Sequence, residues 1–135
     1  MAYTVLEHTA DVRLLVEGRS LAELFSEALR GMMEILKAEQ TGSGGESVRR
    51  IQLESPSRTA LLVDFLNEAL CLAHTHRESY AGVDLEAISE TRVEAVLRGA
   101  PAESFGEDIK AVTYHEADIR ENAAGNLETV LVFDI

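Results

Sequence analysis

Apolar residues near the start of the chain recur with a period of two. Val12, Leu14 and Val16 alternate with Arg13, Leu15 and Glu17, the spacing of a strand with one face on a core. Tyr3 to Leu6 reads as a strand before it. Glu7-His8-Thr9-Ala10-Asp11 reads as the hairpin corner between the two, because Thr and Asp hydrogen-bond their own backbone in turns. Asp11 then stands at the mouth of the second strand, which Gly18-Arg19 ends. The period now lengthens. Leu21, Leu24, Phe25, Ala28, Leu29, Met32, Ile35 and Leu36 share one face of a helix to about Lys37. Ser20-Leu21-Ala22-Glu23 supplies its capping box, hydroxyl and carboxylate each satisfying an orphan amide.

Thr41 to Glu46 is Gly- and Ser-rich without the spacing of a phosphate loop, so it reads as a flexible connection. Val48 to Glu54 alternates again. Ser55-Pro56 predicts the start of a second helix, with Ser as cap and Pro in the first turn. Leu62, Phe65, Leu66, Ala69 and Ala73 lie on one face of that helix, which reaches about His76. Asp64, Glu68 and Cys71 fall on another face. Asn67 and Glu68 read as solvated, with a docking contact as the alternative, and His74 and His76 as a solvated helix end. Val83 to Glu90 and Arg92 to Arg98 form an antiparallel pair. After Gly99-Ala100-Pro101 and Gly106, residues 109–119 read as one more strand. Asn122 to Asn126 is a turn, and Leu127 to Phe133 closes the chain. Its apolar run Val130 to Phe133 suggests cover on both faces. The order is ββαβα and then about four strands, which predicts an α+β fold. Residues 1–135 form a single domain, with two helices packed on a mostly antiparallel sheet.

Composition narrows the function. The chain has 135 residues, 46% of them apolar, enough for a real core. Its 12 basic residues against 24 acidic ones leave a formal charge of −12. A direct nucleic-acid binder needs a basic patch, and with no Trp and few other aromatics no stacking platform is visible. If nucleic acid is involved, another protein is expected to hold it. No apolar run approaches the roughly 20 residues that cross a bilayer. The N-terminus lacks the basic start and apolar core of a signal peptide, so a cytoplasmic location is expected. Cys71 is the single cysteine, which excludes an internal disulfide and any multi-cysteine zinc site.

The chemistry worth weighing sits at the two ends of the chain. A strand that runs Val130-Leu131-Val132-Phe133 straight into Asp134 and Ile135 is unusual, because chain ends are normally polar and frayed. If this strand neighbours the second one, Asp11, Asp134 and the Ile135 carboxylate can converge at one sheet edge. Three acids there would repel unless a cation sat among them. Hard oxygen donors suit calcium, magnesium or manganese rather than zinc. His8 and His115 are each a ligand, a base or a hydrogen-bonding residue by type, and no Ser-His-Asp or Cys-His order is recoverable.

Several stretches are similar, in order and from end to end, to the archease family. They are Leu6-Glu7-His8-Thr9-Ala10-Asp11, the entry Gly18-x-Ser20-Leu21-x-Glu23-Leu24-Phe25, and Phe65-Leu66-Asn67-Glu68. Ile109-Lys110-Ala111-Val112-Thr113-Tyr114-His115 and the ending Val132-Phe133-Asp134-Ile135 complete the set. The Lys-Ala-Val-Thr-Tyr-His block and the Phe-Asp-Ile ending are the specific ones. The resemblance implies an accessory protein rather than an enzyme. Its partner would be the manganese- and GTP-dependent RNA ligase that guanylylates its own histidine and joins 3′-phosphate to 5′-hydroxyl ends, as in tRNA splicing or RNA repair. Archeases promote that guanylylation and allow repeated turnover. The resemblance also implies a divalent cation, calcium in crystals, held through positions matching Asp11, Asp134 and Ile135. Glu7, His8, Lys110 and His115 match the motifs as candidate supporting residues, with no ligand role carried over. Two departures stand out: Arg13, where the family commonly has a small or apolar residue, and a short segment from Arg98 to Asp108. The rival readings are a small metal-dependent phosphohydrolase using the same acids and a metal-stabilised, chaperone-like interaction module.

Overall fold

The computed structural model describes residues 2–6, 11–42 and 44–135. In chain order they form β1 (Ala2–Leu6), β2 (Asp11–Gly18), α1 (Leu21–Leu36), β3 (Ala38–Gln40), β4 (Ser47–Glu54) and α2 (Arg58–His76). Then follow β5 (Glu78–Ile88), β6 (Arg92–Phe105), β7 (Ala111–Thr113), β8 (Arg120–Glu121) and β9 (Leu127–Asp134). All pairings among them are antiparallel, so the α+β reading holds. The expected single sheet is, however, two. One runs β1-β2-β9-β7 with β8 also on β9; in the other β6 is flanked by β3 and β4 and by β5.

The two helices lie between the sheets. The first, α1, packs on β1, β2 and β9 of one sheet and on β5 of the other, while α2 packs on β7 of the first and on β4, β5 and β6 of the second. They meet through Phe25 and Phe65, whose rings are 5.4 Å apart. This explains why α2 is apolar over most of its surface, with Leu61, Leu62, Val63, Phe65, Leu66, Ala69, Leu70 and Ala73 all buried. Covered on two sides, the helix keeps an exposed side that includes Glu68, Cys71 and Thr75. Each sheet therefore buries one face and leaves the other outside. The outer face of the second sheet is a ladder of paired charges, with Arg50 on Glu86 at 2.6 Å and Arg98 on Asp84 at 2.8 Å.

Local signals placed most boundaries. In β2, Val12, Leu14 and Val16 are buried while their neighbours are half-exposed. Ser20 accepts the Glu23 amide at 3.1 Å, but Glu23 reaches back to the amide of Arg19 rather than that of Ser20. The helix ends at Lys37, whose left-handed φ of 51° turns its N–H onto the Met33 and Glu34 carbonyls. The cap of α2 is Ser57, not Ser55: its hydroxyl accepts from Ala60 at 3.2 Å. Ser55 is held elsewhere, its amide on Thr91 and its hydroxyl donating to Asp64.

Two expected boundaries are corrected. Gly99 does not end a strand; β6 passes through it to Phe105, so Arg98 to Phe105 is sheet. A Cβ at Gly99 would lie 1.9 Å from the Ser79 carbonyl oxygen. Glycine is required there by the close approach of β5, which bulges between Tyr80 and Gly82. Residues 109–119 are not one strand either. Only Ala111–Thr113 pairs, and the chain then turns through Glu116 at φ 63°. Its buried side chains, Ile109, Val112 and Ile119, never had a period of two.

Candidate functional site

β9 runs between β2 and β7, and its last residue carries the site. Asp134 is opposite Asp11 on one side and opposite Ala111 on the other. The Lys110 amide donates to the Asp134 carbonyl at 2.7 Å, and Ile135 packs against the core. Because Val12 and Phe133 point into the core, alternation puts Asp11 and Asp134 together on the outer face. Directly opposed residues have Cβ atoms about 5 Å apart, and like charges there repel.

The same strand pair carries a second acid pair at its other end, Glu17 opposite Glu128. That pair is bridged. The Asn122 side-chain amide donates to Glu17 at 2.7 Å and to Glu128 at 3.1 Å, and the Asn126 amide adds a bond of 2.9 Å to Glu17. These donors, Asn126 first, lower the Glu17 pKa below the ordinary carboxylate range. The predicted turn at Asn122 to Asn126 is thus also an amide-donating hub, its shape held by two backbone amides on the Asn122 carbonyl oxygen. Among the described residues no such bridge serves Asp11 and Asp134. Among the described residues neither carboxylate has a hydrogen bond or ion pair, nor does a third His, Cys, Asp or Glu side chain join them. The carboxylates of Asp11 and Asp134 are hard oxygen donors, the kind that suits a hard divalent cation.

What holds this end of β7 in place was not foreseen. The Asn67 amide donates to the Val112 carbonyl at 2.8 Å, and its carbonyl oxygen accepts the Val112 amide at 2.9 Å. A side chain on α2 thereby completes the open edge of β7 as a neighbouring strand would. Three and seven residues away on the same helix face, Asp64 accepts the Tyr114 hydroxyl, and His74 pairs with the Ile109 carbonyl at 3.2 Å and packs edge-on against Phe105. The solvated reading of Asn67 is therefore wrong, and that of His74 incomplete: His74 is exposed in the last turn of α2, yet both bind the segment beside Asp134. The available signal was an asparagine in mid-helix between buried Leu66 and Ala69, where its propensity is poor and its side chain tends to be used. Cys71 is exposed, its Sγ 3.9 Å from the Thr75 hydroxyl.

The remaining candidates divide. Glu7 and His8 lie outside the described residues. Lys110 and His115 are exposed, and neither side chain has a described bond to the acid pair. Arg13 is tied by two bonds of 2.9 Å to Glu116 in the turn after β7. That pairing raises the pKa of Arg13, with a smaller contribution from Asp11, and lowers the pKa of Glu116.

Residues 3–135 match the family described as "Archease protein family (MTH1598/TM1083)". Relatives named protein archease include that of Methanosarcina mazei, 32% identical over 98% of this chain and 95% of its own. That of Methanosarcina acetivorans is 34% identical over 96% and 94%. The fold is similar to the solution structure of Methanobacterium thermoautotrophicum protein 1598, with TM-score 0.69 at 22% identity over 98% of each chain. It is also similar to the crystal structure of an archease, "possible chaperone", from Thermotoga maritima, with TM-score 0.65 at 22% identity over 96% and 94%. No described helix is long and apolar enough to cross a membrane.

Proposed function

The chain belongs to the archease family, and from that premise we propose that it is an accessory protein for a GTP-dependent RNA ligase of the guanylylated-histidine type. It promotes guanylylation of the ligase and its repeated turnover in joining 3′-phosphate to 5′-hydroxyl ends. A divalent cation held by Asp11, Asp134 and the Ile135 carboxylate is central to that role. The observation that carries the reading is the uncompensated register of Asp11 on Asp134, set against the amide-bridged Glu17 and Glu128 pair on the same two strands. When bound, the cation supplies positive charge that relieves the repulsion and gives the strand ends a fixed shape to present. Asn67 and the Lys110 amide hold the neighbouring strand and the Asp134 carbonyl in place. The charge of −12 favours a basic partner that holds the RNA, rather than the RNA itself.

Guanylylation and multiple-turnover ligation by the cognate ligase test this, with wild type and Asp134→Asn compared beside calcium titrations of each. Wild type should stimulate and bind calcium, and Asp134→Asn should do neither. A C-terminal tag that blocks the Ile135 carboxylate should weaken calcium binding. Stimulation that survives Asp134→Asn would remove the cation from the mechanism. Phosphoester turnover by the isolated protein, abolished in Asp11→Ala, would make it an enzyme instead.

A further inference from the structure

Arg13 is the residue whose position has no role in the reading above. It lies two residues from Asp11 on β2, roughly 7 Å along the same face. Its register partner is Val132, two before Asp134, so both carboxylates are within reach of an arginine side chain. Its guanidinium is nevertheless bonded to Glu116, with Asp11 near enough to add only a smaller electrostatic contribution. To reach Glu116, which follows β7, the side chain crosses β9 over Val132, and Val132 is only 4% exposed although it is on the outer face. Two of the five Arg13 N–H donors are bonded to Glu116 in a fork-to-fork pair. Glu116 itself is in the left-handed region at φ 63°, which residues other than glycine rarely adopt. The turn brings a carboxylate other than Asp11 and Asp134 onto Arg13.

We propose that Glu116 is a positioning residue that parks Arg13, and that Arg13, once released, is a built-in cation competing with a divalent ion for Asp11 and Asp134. The competition with a metal rests on the cation reading above; the parking does not. Arginine cannot lose its proton in this setting, so its head is a permanent charge whose position alone decides whether the acid pair stays open. Glu116→Gln weakens the tether and lets the guanidinium fold back along β2. The effect is local, since the nearest amide-bridged acids, Glu17 and Glu128, already have their own donors.

A double-mutant cycle separates this from the simple loss of one negative charge. With calcium as the probe, Glu116→Gln should weaken binding about tenfold, the scale of one unit charge brought close to the site. In an Arg13→Gln background the same change should cost less than about twofold. If Glu116 acted only through its own field, its removal would cost as much or more once Arg13 no longer neutralised it. That outcome overturns the proposal. A metal-free arm in chelator judges the parking independently. Asp134→Asn should raise the melting temperature of wild type by about 2 °C, by relieving the acid pair. In Glu116→Gln that gain should vanish, because Arg13 already compensates the pair. An unchanged gain overturns the proposal whether or not calcium binds. Failure of wild type to bind calcium would instead sink the cation reading.

Discussion

Glu78→Ala is expected to lower the melting temperature by roughly 10 °C. Glu78 is only 6% exposed at the start of β5. It receives two bonds of 2.9 Å from Arg49 on β4 and one of 2.9 Å from the buried Tyr80 hydroxyl. Removing the acid strands the tyrosine hydroxyl and leaves an arginine facing a gap. Breaking a buried pair typically costs about 3–5 kcal/mol. Because Arg49 is a third exposed and can turn to water, the lower end, about 3 kcal/mol, applies. For a chain of this length each kcal/mol is worth about 3–4 °C. Glu78→Gln should lose less, since an amide still accepts from Tyr80.

The same group sets a pH dependence. Arg49 first, against the opposing cost of burial, holds the Glu78 pKa down at about 2, with Ser47 and Tyr80 helping. A carboxyl lowered in the folded state binds its proton more weakly there than in the unfolded chain. Its contribution is complete above the unfolded value near 4.5 and is lost as pH falls from there through about 2. Wild type should therefore lose stability more steeply than Glu78→Gln between pH 4.5 and 2 in thermal melts. Parallel curves would show that the pair contributes nothing to acid sensitivity. Tyr80 moves the opposite way, raised by its burial and then by the Glu78 carboxylate, so its proton stays on throughout this range.

Asn67→Asp should cost about 2 kcal/mol and loosen one strand specifically. The introduced oxygen would face the Val112 carbonyl where Asn67 now donates at 2.8 Å, and an unsatisfied buried acceptor costs about 1–3 kcal/mol. Hydrogen exchange gives the sharper readout. The amides of Val112 and Lys110 should exchange faster than the global stability loss requires, because Lys110 reaches Asp134 through the strand that Asn67 holds. Protection lost evenly across β9 and α2 would mean that Asn67 serves the core at large and not the acid-pair end. Asn67→Ala, which leaves the groups unsatisfied without repulsion, should be intermediate.

The strand positions of Asp11 and Asp134 were legible because they rest on local rules. Alternation in β2 placed Asp11 at a strand mouth, and the apolar run ending in Asp134 marked the partner strand. Capping chemistry gave the start of α1. The motifs of the family identified the chain from end to end. The misreadings share another cause. Ser55 looked like a cap as well as Ser57 does, and only the approach of Asp64 and Thr91 decides between them. Gly99-Ala100-Pro101 looked like a break, yet the glycine answers a backbone pressed against it from β5. Asn67 looked solvated, and the bond made by the exposed His74 went unseen, because their partners, Val112 and Ile109, are 45 and 35 residues away.

By itself, then, the sequence determined the class of fold, most elements, the acids at either end of the chain and the family, all written in short-range periodicity and motif. Tertiary structure alone decided that there are two sheets with the helices between them. It also set Asp11 opposite Asp134 with no bridge among the described residues, gave the other acid pair its amides, and joined Arg13 to Glu116. Those facts depend on strand register and on side chains meeting across the chain. Register follows from which faces are buried together, a property of the packed molecule that no local stretch contains.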